Sequence, residues 1–166
     1  MSMTQHSPEG HHQMDSAHDY SSNLAGIDTE LDLAEMEIAS GRFGEARLRF
    51  ARMTRLQREL PRTLLLRARA TETEESRRML AAFIRTAVTR HSDSLSRSHL
   101  ATALALCGDR TGAMQTIPPE KGLSSIEMAA RQTALDALGS VPDLPETEVL
   151  TFTGMLARKL LPGRSR

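Results

Sequence analysis

The chain has 166 residues, 39% of them apolar, with Lys plus Arg and Asp plus Glu both at 21. That is enough for one compact domain or a short repeat array, and the zero net charge excludes a uniformly basic or acidic polymer binder. Aromatics are 3% and Trp is absent, so the core must come from Leu, Ala, Met and Ile. This diet suits close-packed helices and argues against a β-sandwich.

Residues 1–26 are polar, carry His, Ser, Gly and Gln, and show no periodicity, so they read as a disordered tail. "DTELDLAEMEIAS", 28–40, predicts a first helix. Asp28 or Thr29 caps it, acids fill its first turn and Gly41 ends it. Leu31, Ala34, Ile38 and Met36 are expected to give its buried face. A second helix is expected over 43–60, stopped by Pro61. At 100° per residue, Phe43, Ala46, Phe50, Met53 and Leu60 share one side, and Arg47, Arg49, Arg52, Arg55 and Arg58 occupy the other. "PRTLLLRARA" starts a third helix at Pro61 or Arg62, and "TETEESRRMLAAFIRTAVTRH" follows with Leu80, Ile84, Ala87 and Val88 on one face. No Gly or Pro marks the break at 71–74, so a single helix from 62 to 90 is the alternative. "SLSRSHLATALALCGD" gives a helix ending near Gly108. "RTGAMQTI" is a short one stopped by Pro118. "SSIEMAARQTALDALG" opens with a capping box, Ser124 with Glu127, and closes at Gly139. "PETEVLTFTGMLARKLL", 145–161, is the last of about eight helices, and no strand is expected.

The charge is unevenly laid out. Residues 1–41 hold eight acids and no Lys or Arg, whereas 42–110 hold fifteen Arg and seven acids, a local excess of eight positive charges. The Arg face of the second helix is therefore the candidate surface for an acidic partner, through Arg49, Arg52, Arg55 and Arg58. A solvated outer face is its plainer explanation. The alternative is that the acidic segment 1–41 folds back on the Arg-rich middle.

An internal match runs through the chain. Gly41 and Gly108 each end an apolar helix and each is followed five residues later by a small residue, Ala46 and Ala113. The offset is close to twice the 34-residue period of helix–turn–helix repeats, and Leu80, Ile84 and Ala87 fall halfway between. "GRFGEARLRFARM" thereby resembles the second-helix signature of tetratricopeptide repeats, with Gly41, Phe43, Ala46 and Phe50 in register. Leu33 and Ala34 match the apolar–small pair of the first helix, while Glu30 and Glu37 stand where a large apolar and an aromatic residue are usual. The third unit keeps Leu100, Ala101, Gly108 and Ala113. The resemblance spans roughly 28–161 and is degenerate outside the first unit.

The resemblance implies a right-handed stack of about four helix pairs over 27–162, with short tails at 1–26 and 163–166. It also implies a groove that holds a peptide or helix of a partner protein. Bacterial proteins of this kind and size include chaperones for secretion-system subunits. The second reading, from another class, is a helix-turn-helix regulator that binds nucleic acid through the Arg-rich 42–110 region, with Arg97, Ser98 and His99 at the start of its recognition helix. Aromatics for base stacking are missing near the Arg face, which weakens it.

Reactive chemistry is sparse. Cys107, the sole cysteine, sits in an Ala/Leu-rich segment and reads as a small core side chain. His6, His11, His12 and His18 cluster in the tail without a cysteine partner or fixed geometry. No phosphate loop, nucleophile elbow or paired zinc ligands occur, so no catalytic residue, metal or cofactor is expected. With no basic start leading into an apolar run and no membrane-length apolar stretch, a cytoplasmic protein is the default expectation.

Overall fold

The computed structural model describes residues 26–140, and every regular element among them is a helix. In chain order these are α1 (Ile27–Ala39), α2 (Phe43–Arg52), α3 (Arg55–Glu59), α4 (Pro61–Ala70), α5 (Glu74–Val88), α6 (Ser94–Leu106), α7 (Arg110–Thr116) and α8 (Ser125–Ser140). The expected helix over 145–161, the histidine cluster and most of both expected tails lie outside the described residues. Within them, no helix is long and apolar enough to cross a membrane.

Local chemistry sets the boundaries. Thr73, Asp93 and Asp109 accept hydrogen bonds from the backbone N–H of Ser76 (3.3 Å), Ser96 (2.8 Å) and Gly112 (3.0 Å), which start α5, α6 and α7. Ahead of α8, the Ser124 N–H donates to Glu127 Oε2 at 2.8 Å and the Glu127 N–H donates to Ser124 Oγ at 3.4 Å, the expected capping box. The residues around 71–74 do break the chain into two helices, because Thr71 is extended and Thr73 caps the second.

The helix predicted over 43–60 is instead two. Met53 and Thr54 are both extended, with ψ of 148° and 163°. Thr54 opens α3 with a reciprocal box: the Gln57 N–H donates to Thr54 Oγ1 (3.3 Å) and the Thr54 N–H donates to Gln57 Oε1 (2.9 Å). The break leaves Met53 buried against the α1–α2–α4 core.

Gly41 and Gly108 end α1 and α6 in the left-handed region, at φ 72° and 81°. The two turns share one hydrogen-bond pattern. The N–H of Gly41 donates to Ile38 O and that of Arg42 to Glu37 O; the N–H of Gly108 donates to Ala105 O and that of Asp109 to Leu104 O. Both are Schellman motifs, whose left-handed residue favours glycine because it lacks Cβ. Each motif reverses the chain so that the following helix, α2 or α7, packs back on the one just ended.

α1 packs on α4, α4 on α6 and α6 on α8, while α2 fills the other side of α1 and α4, and α5 and α7 lie against α6. Two apolar clusters result. Ile27, Leu31, Ala34, Ala46, Phe50, Met53, Leu66 and Ala70 form one, with Phe43 half-buried at its edge. Met36, expected on the buried face of α1, is instead exposed. The other gathers α4, α5, α6, α7 and the end of α8 around Leu64, Leu80, Ile84, Leu100, Leu104, Ala113 and Leu138. α6 is enclosed on nearly every side, with all of Leu100–Ala105 buried. Its hydroxyls are satisfied internally: Ser98 donates to Ser94 O and Thr102 to Ser98 O. Alanines at the crossings (Ala34, Ala46 and Ala70) let helices approach closely where larger side chains would hold them apart.

Candidate functional site

An open depression of about 170 Å³ lies where α1, α4, α6 and α8 meet. α4 supplies most of it, because Arg62, Leu65, Leu66 and Arg69 recur at helical spacing on one face. Glu35 of α1, His99 and Thr102 of α6, and Ala130 and Thr133 of α8 complete the lining. Leu65, Leu66 and Ala130 give it an apolar floor, and the rim is charged.

That charge is organised by α1. Arg62 Nη2 donates to Asp32 Oδ1 at 2.5 Å and Glu35 Oε2 at 3.2 Å, and its Nη1 lies 3.9 Å from Asp28. Arg69 reaches the other oxygen of Glu35 at 3.3 Å. The sequential match, 28 to 62 and 35 to 69, means that α1 and α4 run parallel. Burial pushes the His99 imidazole below its ordinary pKa, and Arg62 and Arg69 push it further the same way. It is therefore neutral near pH 7 and offers one donor and one acceptor to the depression. Thr133 donates its hydroxyl to Ala129 O.

The four arginines expected to face a partner lie on two helices, Arg49 and Arg52 on α2 and Arg55 and Arg58 on α3. Arg49 departs most from expectation. It turns toward α1 and grips Glu37 through two bonds, Nη2–Oε1 at 2.6 Å and Nε–Oε2 at 3.2 Å, while Nη1 reaches Glu30 at 2.5 Å. Glu37 is buried, with 6% of its surface exposed. The hydrogen bonds from Arg49 hold its carboxyl below the usual glutamate range, against the opposing effect of burial. Arg55 pairs with Glu59 of its own helix at 3.1 Å. Arg52 and Arg58 are exposed and make no ion pair among the described residues. The break at Met53–Thr54 separates the first two arginines from the second two. Sequence reasoning missed the Arg49 anchor, and the signal was available: Glu37, a carboxylate one helical turn from Ala34 on the buried face of α1, needs a cation on the next helix.

Cys107 is buried, and burial pushes its thiol up to about 11, so it is a poor nucleophile at neutral pH. Arg97 donates to the carbonyls of Thr116 (3.1 Å) and Gln115 (3.2 Å), Ser98 is buried, and His99 faces the depression. Among the described residues no group of three or more His, Cys, Asp or Glu is arranged to hold a metal ion. No protein-family model, curated protein or solved structure matches the chain.

Proposed function

We propose that this protein is a non-enzymatic interaction module, an adaptor or chaperone, that holds a peptide or helix of a partner protein in the depression along α1, α4, α6 and α8. The observation that carries this reading is the depression itself: an apolar floor rimmed by the Arg62–Glu35–Arg69 array and a neutral His99, with side chains from four helices converging on it. Such a surface offers burial to an aliphatic side chain and hydrogen-bond partners to a backbone. The fold is read as a tetratricopeptide-like stack, with pairs α1/α2, α4/α5 and α6/α7 and with α8 beginning a fourth. Support comes from the identical turns at Gly41 and Gly108 and from Ala46 and Ala113, which are both fully buried five residues beyond them. A helix-turn-helix regulator needs its recognition helix presented outward. α6 has six consecutive buried residues, Leu100–Ala105, its Ser98 is buried and its Arg97 is engaged by the carbonyls of Thr116 and Gln115.

The test is capture from the native host with and without nuclease, comparing the wild type with Thr133→Arg. Thr133 is exposed on the depression's rim, and an arginine there fills the depression without touching the core. A protein partner recovered under both nuclease conditions and lost with Thr133→Arg supports the reading. A partner captured equally by the variant, or recovered only when nucleic acid is intact, overturns it.

A further inference from the structure

Arg67 of α4 stands apart from the other half-buried arginines. Arg49, Arg62, Arg77, Arg97 and Arg131 each donate to a carboxylate or a carbonyl. Arg67 donates to neither among the described residues, and its guanidinium lies over the Phe83 ring of α5, 6.0 Å from the centroid. Burial and the like charge of Arg58 both push it below arginine's ordinary pKa. A partly desolvated cation beside a second cation is an unfavourable arrangement unless an anion joins it. Around it the surface is apolar: Phe83 is 41% exposed and Met79, one turn earlier on the same face of α5, is 64% exposed. This patch faces α3 and α5, away from the depression, which α4 lines with Arg62, Leu65, Leu66 and Arg69.

The chain holds a complementary segment. Of the eight acids in residues 1–41, Asp28, Glu30, Asp32, Glu35 and Glu37 already pair with Arg49, Arg62 and Arg69. The remaining three, Glu9, Asp15 and Asp19, precede α1 in a stretch without Lys or Arg that also carries Met14, Tyr20 and Leu24. Reach is sufficient. Asp28 lies 3.9 Å from Arg62, and Arg67 is about 7.5 Å further along the axis and about 140° round α4, a helix about 10–12 Å across. Asp19 is seven residues before Gly26, a span of up to about 25 Å.

We propose that residues 9–24 lie over the Arg58–Arg67–Phe83–Met79 patch, with Asp15 and Asp19 supplying the carboxylates that Arg67 and Arg58 lack and Tyr20 or Leu24 covering the apolar face. The contact extends to α3 and α5 the acid-on-arginine pairing that α1 makes with α2 and α4. It does not depend on what the depression binds.

The test uses the purified full chain carrying Met79→p-benzoylphenylalanine, irradiated and mapped by mass spectrometry. The expected product is an intrachain cross-link into residues 9–24. Asp15→Arg with Asp19→Arg lowers its yield at least fivefold, and adding Arg58→Asp and Arg67→Asp restores it. Arg58→Asp alone, at an exposed position that does not endanger folding, lowers the yield about twofold, as does molar salt. Cross-links confined to other parts of the chain, a cross-linked dimer in place of the intrachain product, or a yield indifferent to the tail's charge would each overturn the proposal.

Discussion

Glu37 occupies a position on α1 where an apolar side chain would pack most simply, and it is held there by Arg49. Ion pairs of this kind are asymmetric in what they cost to break. Removing one partner strands the other in a low-dielectric site, at about 3–5 kcal/mol, whereas replacing both with apolar groups is often neutral or stabilising. Arg49 retains 24% of its side-chain exposure, so the lower end of that range applies. Arg49→Met is expected to destabilise by about 3 kcal/mol in denaturant titration. Glu37→Leu combined with Arg49→Met is expected to recover most of that loss. A double variant as unstable as Arg49→Met would show that the pair is needed for its charge and not merely for mutual compensation. The same carboxyl gives a pH signature. Its folded pKa lies below the unfolded value of about 4.3, because Arg49 favours the charged form. Its contribution is therefore fully present above that value and is lost as pH falls through the lower folded one. Between pH 5 and 3 the wild type should lose stability more steeply than Glu37→Gln, and equal slopes would remove Glu37 from the account of acid denaturation.

At the scale of elements, most helices were legible because each carries its own boundary signal. Gly41 and Gly108 stop α1 and α6, Pro61 starts α4, and Ser124 with Glu127 opens α8. The break at Met53–Thr54 was hidden. The apolar spacing of Phe43, Ala46, Phe50, Met53 and Leu60 runs straight across it, and periodicity outweighed the short Thr54-x-x-Gln57 cap. Yet both Met53 and Leu60 still reach the core cluster after the break, Met53 buried and Leu60 half-buried. A helical period can thus survive a kink when both segments pack on the same neighbour, here α4. Ala46 tests that packing. It is fully buried between α1, α2 and α4 among Leu31, Ala34, Phe50, Leu66 and Ala70. Ala46→Leu adds three carbons at a fully buried position, and is expected to cost about 1–3 kcal/mol by forcing the helices apart. An unchanged thermal midpoint in that variant would mean that α2 can slide on α1 and α4 and that its register is not fixed by the small residue.

Across the whole molecule, the zero net charge conceals an acidic beginning followed by a basic middle. The sequence showed the asymmetry, and the structure resolves what α1 does with it: five carboxylates meet Arg49, Arg62 and Arg69. The depression at α1–α4–α6–α8 was not legible in the sequence. Its residues come from four helices, and a local pattern cannot bring Glu35, Arg62, His99 and Thr133 together. Exposed ion pairs contribute at most about 1 kcal/mol each. Deleting 1–25 should leave helical circular dichroism intact and move the thermal midpoint by no more than several degrees. A collapse of either signal would show that the segment is part of the core. The same charge accounting bears on nucleic acid. Of the four arginines on α2 and α3 singled out as a partner surface, only Arg52 and Arg58 remain without an ion pair among the described residues. Even with both available, two cations give weak affinity that falls steeply with salt and carries no sequence preference. Arg52→Glu with Arg58→Glu should keep the fold, since exposed substitutions of this kind usually change stability by no more than about 0.5 kcal/mol each. Labelled DNA and RNA, titrated at near-physiological salt, should bind the wild type only weakly and without sequence dependence. Tight, sequence-dependent binding that the double replacement destroys would instead make α2 and α3 a nucleic-acid surface.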